Sequence, residues 1–198
     1  MHFPLNYPLT LSFKIIALAP QLAVTDANGN LIAYIKQKLF KLKEAVTVFE
    51  DEQQRQPLFN MKADRVIDFS ARYHFTDQQG LAVGSVKRKG MRSLWKAEYD
   101  IFDGETTTMR IREENGWVKV LDGLFGELPV VGIFSGYVFH PAYLVSYLDG
   151  PVVMRMEKQP AFFEGKFKIE KLAELNADDE RRALLSLIMM ILLERQRG

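Results

Sequence analysis

The sequence predicts a mainly β protein: a closed barrel of about twelve strands enclosing one hydrophobic C-terminal helix. Three observations carry that expectation. Between Ala183 and Leu193, nine of eleven positions are Leu, Ile or Met, so at 100° per residue no face of a helix there is polar. Such a helix must be enclosed on every side or lie in lipid. Everything before it reads as short alternating strands separated by turn residues. The strands also recur as a repeated hairpin, which suits a sheet closing on itself. A strand-rich chain with a single, wholly apolar helix is most economically solved by wrapping the sheet around the helix.

Taken in order, Pro4, Pro8 and Pro20 bracket a first extended run from Leu9 to Leu18, followed by a short one from Leu22 to Thr25. Asp26-Ala27-Asn28-Gly29 is a turn signal, with Gly able to take positive φ. Leu31 to Lys38 reads as a strand partnered by Ala45 to Glu50, and Leu39 to Glu44 could be a turn of helix. The clearest alternation sets Ile67, Phe69, Ala71, Tyr73 and Phe75 against Asp68, Ser70, Arg72, His74 and Thr76. Trp95 to Ile101 and Met109 with Ile111 repeat it, and Val118 and Val120 flank Lys119. Further strands are expected at Tyr143 to Leu148, Val152 to Glu157 and Lys166 to Glu170. The helix then runs from about Asp178 toward the end of the chain, capped by Asn176 or Asp178. Asp178, Asp179 and Glu180 fill its first turn and Arg195 and Arg197 its last, as the macrodipole favours.

The internal repeat is explicit. Thr25 to Lys38 aligns without a gap with Thr76 to Lys89, and after a two-residue shift Val46 to Glu50 aligns with Tyr99 to Asp103. A fainter third copy begins at Asp149-Gly150 and reaches Lys158. Each unit is an acidic turn, a glycine, an apolar strand, paired basic residues and a return strand. No linker or low-complexity stretch divides residues 1–198, so a single domain is expected.

Composition narrows the function classes. With 47% hydrophobic and 12% aromatic residues the chain can build a sizeable core. A net charge of +1 gives no global pull toward nucleic acid or membrane, so any electrostatic role must be local. Cysteine is absent, which excludes disulfides, thiolate catalysis and Cys-ligated metal and agrees with a cytoplasmic setting. No signal peptide is expected, because Met1 to Pro20 lacks a basic leading region and Lys14 interrupts its apolar run. The apolar helical run rises about 16 Å against roughly 30 Å of hydrocarbon, too short to span a bilayer.

At this point the residues resemble the LURP-one-related family, within the tubby C-terminal-like superfamily that also holds the phospholipid scramblases. The resemblance rests on Asp26-x-x-Gly29 followed by Ile32-x-x-Ile35-Lys36, on Val86 to Trp95, and on the closing apolar helix. It implies a twelve-stranded barrel around a central hydrophobic helix, in agreement with the reading above. Its functional implication is an association with lipid headgroups or lipid movement in some relatives and with plant defence in others. No ligand-binding residue transfers from it.

The residues that could bind a ligand are basic. Lys36 and Lys38 share one face of their strand, as do Lys87 and Lys89 by the repeat, with Arg88 between them. Two equivalent hairpins would thus present paired cations to a phosphate-bearing headgroup. The competing explanation is a solvated barrel exterior, with Lys discouraging edge pairing. Asp26 to Asn30 imitates the start of a calcium loop but has Leu31 and Gln37 where Gly and Glu are needed. His2, His74 and His140 lie far apart, so no triad or metal site is expected. Gly80 to Gly84 is too short and strand-like for a dinucleotide loop. Ser186, alone among the apolar residues, can bond the Arg182 carbonyl on a helix and so need not be functional. The resulting expectation is a non-enzymatic, monomeric binding or scaffold domain without cofactor or metal. Its expected ligand is an anionic phospholipid headgroup or similar phosphate compound, with peripheral membrane contact and no nucleic acid. The alternative is a protein-interaction or structural module.

Overall fold

The computed structural model describes residues 4–14, 21–36, 45–65, 71–89, 98–114, 141–160 and 164–195. Twelve strands form one closed barrel: β1 (Leu9–Lys14), β2 (Gln21–Thr25), β3 (Leu31–Lys36), β4 (Ala45–Phe49), β5 (Pro57–Ala63) and β6 (Arg72–Asp77), then β7 (Ala82–Arg88), β8 (Glu98–Asp103), β9 (Thr106–Glu113), β10 (Ala142–Tyr147), β11 (Val152–Gln159) and β12 (Glu164–Lys171). Every strand pairs antiparallel with its neighbours in sequence, and β1 closes the ring on β12 through Leu9↔Ile169, Leu11↔Phe167 and Phe13↔Gly165. The thinnest ladder joins β3 to β4, with Tyr34↔Phe49 as its one registered pair.

The helix α1 (Ala177–Arg195) fills the barrel. Its side chains from Ala183 to Leu192 are at most 4% exposed, which explains why no polar face is tolerated. They meet the inward residues of the strands, which alternate with outward ones as the pleat requires: Leu9, Leu11 and Phe13 on β1, Tyr73 and Phe75 on β6, Tyr99 and Ile101 on β8, Met109 and Ile111 on β9. Among the described residues no helix is long and apolar enough to cross a membrane. Asn176 caps α1, its Oδ1 accepting from the Asp179 N–H at 2.8 Å.

The repeat is visible bond for bond. Asp26 Oδ1 accepts from the N–H groups of Asn28 and Asn30 at 2.9 and 2.8 Å, and Asp77 Oδ1 from those of Gln79 and Leu81 at 2.9 Å. Gly29 and Gly80 sit at φ of 83° and 79°, the conformation the paired glycines predicted. These bonds consume the Asp26 carboxylate in its own turn. The side-chain hydrogen bond from Asn30 leads the contacts that hold its pKa below the ordinary value.

Several sequence expectations need correction. β5 was not anticipated. The turn leading into it runs from Asp51 to Gln54, where Gln54 adopts φ of 60° without a glycine to announce it. The first and third predicted strands are described as far as Lys14 and Lys36, so Leu18, Lys38 and the suggested helical turn at Leu39 to Glu44 lie outside the described residues. So do Ile67, Phe69, Trp95, Val118, Val120 and Arg197. Ser186 Oγ is fully buried and has no hydrogen-bond partner among the described residues, so the bond open to it at the Arg182 carbonyl is not made. His74 is exposed on its strand, as its alternation implied.

Candidate functional site

The antiparallel order sends the six odd-numbered strands the same way, and α1 runs parallel to them. Arg182, near its start, reaches Val83 at the beginning of β7, while Glu194, near its end, reaches Arg88 at the end of that strand. The barrel therefore has a turn mouth, holding the helix N-terminus and the tight hairpin turns, and an opposite mouth, holding the helix C-terminus.

The predicted anion-binding residues distribute unevenly over this frame. Lys36 ends β3 at the opposite mouth and points outward, exposed beside the inward Ile35. Lys87 and Lys89 share the outer face at the end of β7, as the repeat implied, Lys87 half-buried and Lys89 exposed, with Lys89 3.5 Å from Glu98. Arg88 lies between them and faces the interior, 10% exposed and 3.5 Å from Glu194. Three strands separate β3 from β7, which puts Lys36 roughly 20 Å along the sheet from Lys87 at ~4.8 Å per strand. Lys87 and Lys89 thus stand together, Lys36 stands apart, and Lys38 lies outside the described residues.

The remaining charged groups divide by residue type. Arginines stitch strands together. Arg110 Nε lies 2.6 Å from Asp100, Arg155 bonds Glu114 and Glu157 at 2.9 and 2.7 Å, and Arg72 donates to Ser85 Oγ and Glu105 at 2.7 Å with its guanidinium 4.2 Å above the Phe102 ring. Planar, multidentate donors suit that task. By contrast Lys14, Lys36, Lys62, Lys87, Lys158 and Lys166 make no ion pair among the described residues. Charge available to a ligand therefore resides on lysine ammonium groups.

At the turn mouth an open cleft of about 500 Å³ is lined by Asp103, Thr108, Tyr147, Asn176, Asp178 and Arg182. Arg182 is fully engaged: Nε donates to the Val83 carbonyl at 2.8 Å, one terminal nitrogen to Asp103 at 2.9 Å and the other to Asp179. Asp179 in turn accepts from Tyr147 Oη at 2.8 Å and Asn176 Nδ2 at 2.7 Å. Burial, with the Asp179 bond second, pushes the Tyr147 phenol up to about 12. Gly84 makes room for this. A Cβ there would lie 2.7 Å from Arg182 Cδ and from the Phe102 carbonyl, and its φ is +151°. With its cation committed and its remaining charges negative, this cleft does not suit a phosphate. Nothing in the chain next to them separates Arg182 from Arg181, but one signal is present: Gly84 stands where the other copy of the repeat has Ala33.

At the opposite mouth Glu194 accepts from the Tyr99 hydroxyl, and Arg195 stacks 4.1 Å above the Phe13 ring. Burial first, then the charges of Glu113 and Glu194, raises the Tyr143 phenol to about 12.

The architecture defines a class of domain in which an up-and-down antiparallel barrel is filled by its own C-terminal helix. Residues 31–170 match the LURP-one-related family, and the chain belongs to that family. The tubby-like architecture is consistent with that membership. A similar solved structure is an X-ray structure of a protein from Arabidopsis thaliana, 17% identical, with a TM-score of 0.48 over 95% of this chain and 91% of that one. No curated protein matches the chain.

Proposed function

We propose that this domain is a non-enzymatic binding or scaffold module whose basic strand ends take a phosphate-bearing anion, an anionic phospholipid headgroup being the favoured ligand. The carrying observation is that Lys36 and Lys87 reach the barrel exterior without an ion pair among the described residues. Unpaired ammonium groups are free to exchange water for phosphate oxygens, whereas the arginines are spent on the wall. The module acts as a monomer in the cytoplasm, needs no cofactor or metal, and meets membranes only peripherally. Co-sedimentation with vesicles tests this. Wild-type protein is expected to prefer anionic over neutral vesicles and to lose that preference with added salt. Replacing Lys36, Lys87 and Lys89 by Gln is expected to weaken binding while leaving Tm nearly unchanged. Equal association with neutral and anionic vesicles would sink the reading.

A second reading, a protein-interaction module, draws on the turn mouth, where Leu148 is 42% exposed next to Tyr147 of the acidic cleft. A partner captured by the wild type and lost on Leu148→Asp, with no lipid preference, would favour it.

A further inference from the structure

On the β8–β9 and β11–β12 ladders, outward charges of opposite sign face each other across the strands. Glu98 stands opposite Arg112, Asp100 opposite Arg110 and Arg155 opposite Glu170, at 3.5, 2.6 and 3.7 Å. The outer wall from β5 to β7 breaks this rule. Lys62 lies directly opposite His74, His74 lies opposite Ser85, and Lys87 is the next outward residue on β7. Lys62 and His74 are exposed and Lys87 is half-buried. None of the three makes an ion pair among the described residues.

The charged groups around these three are engaged elsewhere. Just after β5, the Asp64 carboxylate accepts the Arg72 N–H at 3.1 Å and Arg65 Nε at 3.4 Å. On β6, the Arg72 guanidinium runs along the wall to Ser85 Oγ, the Gly104 carbonyl and Glu105. On β8, Asp100 stands opposite Lys87 but is held by Arg110 at 2.6 Å. Thr76 and Ser85, the other outward neighbours of His74, carry no charge. Directly opposed residues have Cβ atoms about 5 Å apart and diagonal ones about 7–8 Å. Two ammonium groups on flexible stems and one imidazole can therefore converge on a single tetrahedral anion.

Like charges set directly opposite each other cost stability, and a bound dianion turns that repulsion into attraction. We propose that Lys62, His74 and Lys87 form a phosphate site on the outer wall of β5 to β7, which takes a dianionic phosphate monoester with His74 as imidazolium. The proposal rests on the anion-binding reading above and deepens it: Lys87 is shared, Lys62 and His74 are added, and binding acquires a dependence on pH. Affinity rises as His74 gains its proton, until the monoester takes its own second proton at about pH 6. A lipid headgroup and a soluble phosphate compound present the same group to this site.

Ring-proton NMR of the full chain reads His74 directly, and His74→Gln identifies its signal among those of the three histidines. Inorganic phosphate, compared with chloride at equal ionic strength, should move the His74 titration to higher pH. Lys62→Gln and Lys87→Gln should each weaken phosphate binding about ten-fold and suppress that shift. Lys166→Gln, at an exposed lysine on β12, should do neither. A His74 signal that titrates alike in both salts would overturn the site, as would a phosphate effect that Lys62→Gln and Lys87→Gln leave intact. Glycerol phosphate and phosphatidylcholine vesicles with and without phosphatidic acid separate the two sources. Vesicle binding lost in His74→Gln assigns the site to a lipid headgroup, and a His74 response to glycerol phosphate without vesicle binding assigns it to a soluble compound. Anionic vesicles bound equally by the wild type and by a Lys62→Gln, His74→Gln double variant would remove this site and leave the anion-binding reading standing. No response to phosphate, glycerol phosphate or vesicles would remove both.

Discussion

The two ends of the central helix are held by different chemistry. At the turn mouth Arg182 ties the helix to β7 and to the β8–β9 turn, and Asp179 extends the network to Tyr147 and Asn176. Arg182 and Asp179 are buried and Tyr147 is half-buried, whereas Asn176 and the Asp103 carboxylate, the latter 58% exposed, reach solvent. At the opposite mouth the helix leaves the barrel through Glu194, which meets Tyr99 and Arg88, and through Arg195, which rests on Phe13. The first end is a closed polar network, in which every removal strands a buried partner. The second is a looser arrangement beside exposed, unpaired lysines. The polar network that anchors the helix and the exposed, unpaired lysines thus lie at opposite ends, so substitutions at one end should have little effect on the other.

The sharpest way to break that division is Arg182→Met. It removes the guanidinium from the buried Asp179 carboxylate, which keeps only Tyr147 and Asn176, and takes the Arg182 donor from Asp103 and the Val83 carbonyl; a buried pair broken on one side typically costs about 3–5 kcal/mol. Urea denaturation should show a loss of that size with an unchanged slope. Gly84→Ala comes next, at about 2–4 kcal/mol, because its Cβ has no space and its backbone no ease. In an Arg182→Ala background its cost should shrink but persist, since the Phe102 carbonyl remains 2.7 Å away. A cycle that came out additive would mean the two residues do not touch. At the other end Glu194→Gln should cost only about 1–2 kcal/mol, keeping a weaker bond to Tyr99 and leaving Arg88 without its charge partner. A cost above that of Arg182→Met would invert the comparison.

Alkaline pH probes both ends at once. Burial raises Tyr7 and Tyr147 at the turn mouth and Tyr143 at the other, the latter two to about 12. A phenol whose folded pKa lies above its unfolded value of 10.0 contributes stability that is complete below pH 10 and lost as pH rises toward about 12. Phenolate absorbance from these residues should therefore appear together with unfolding rather than before it. The smallest expected effect belongs to Gln54→Gly, which relieves a side chain held at φ of 60° and should raise stability by about 1 kcal/mol or less. A fall in Tm would show that the Gln54 side chain contributes a contact of its own.

The fold was legible because its determinants are periodic. An all-apolar run at helical spacing and alternation at period two leave few architectures, and the paired glycines Gly29 and Gly80 marked their turns by conformational need. β5 escaped because the turn before it uses Gln54, a residue with no turn signature, at the same strained angle. The candidate site was only partly legible. Alternation puts Lys87 and Lys89 on one outer face, as the repeat implies, while Arg88, grouped with them as a candidate ligand, falls on the inner face beside Glu194. Nor can a linear sequence give distance around a ring, and so Lys36 and Lys87 looked adjacent in the repeat while standing strands apart. Nothing local to Arg182 announces its partners Val83 and Asp103, which lie 99 and 79 residues away.

The filling of this barrel is encoded last. Twelve strands occupy the chain from Leu9 to Lys171, and the residues that occupy their interior begin only at Ala177. A chain emerging from the ribosome therefore presents its wall before its core, with inward side chains such as Phe13, Phe75 and Tyr99 awaiting a partner not yet made. Neighbouring hairpins can form as they appear, because all but one of the strand pairings join consecutive strands. The β1–β12 closure must wait for Glu164 to Lys171, and the packing of α1 for Ala177 to Arg195, to emerge. Unlike a domain that consolidates from its N-terminus, this one remains an open, apolar-faced ribbon until its helix has been made, and a chain cut short anywhere before Ala177 is a wall with nothing to enclose.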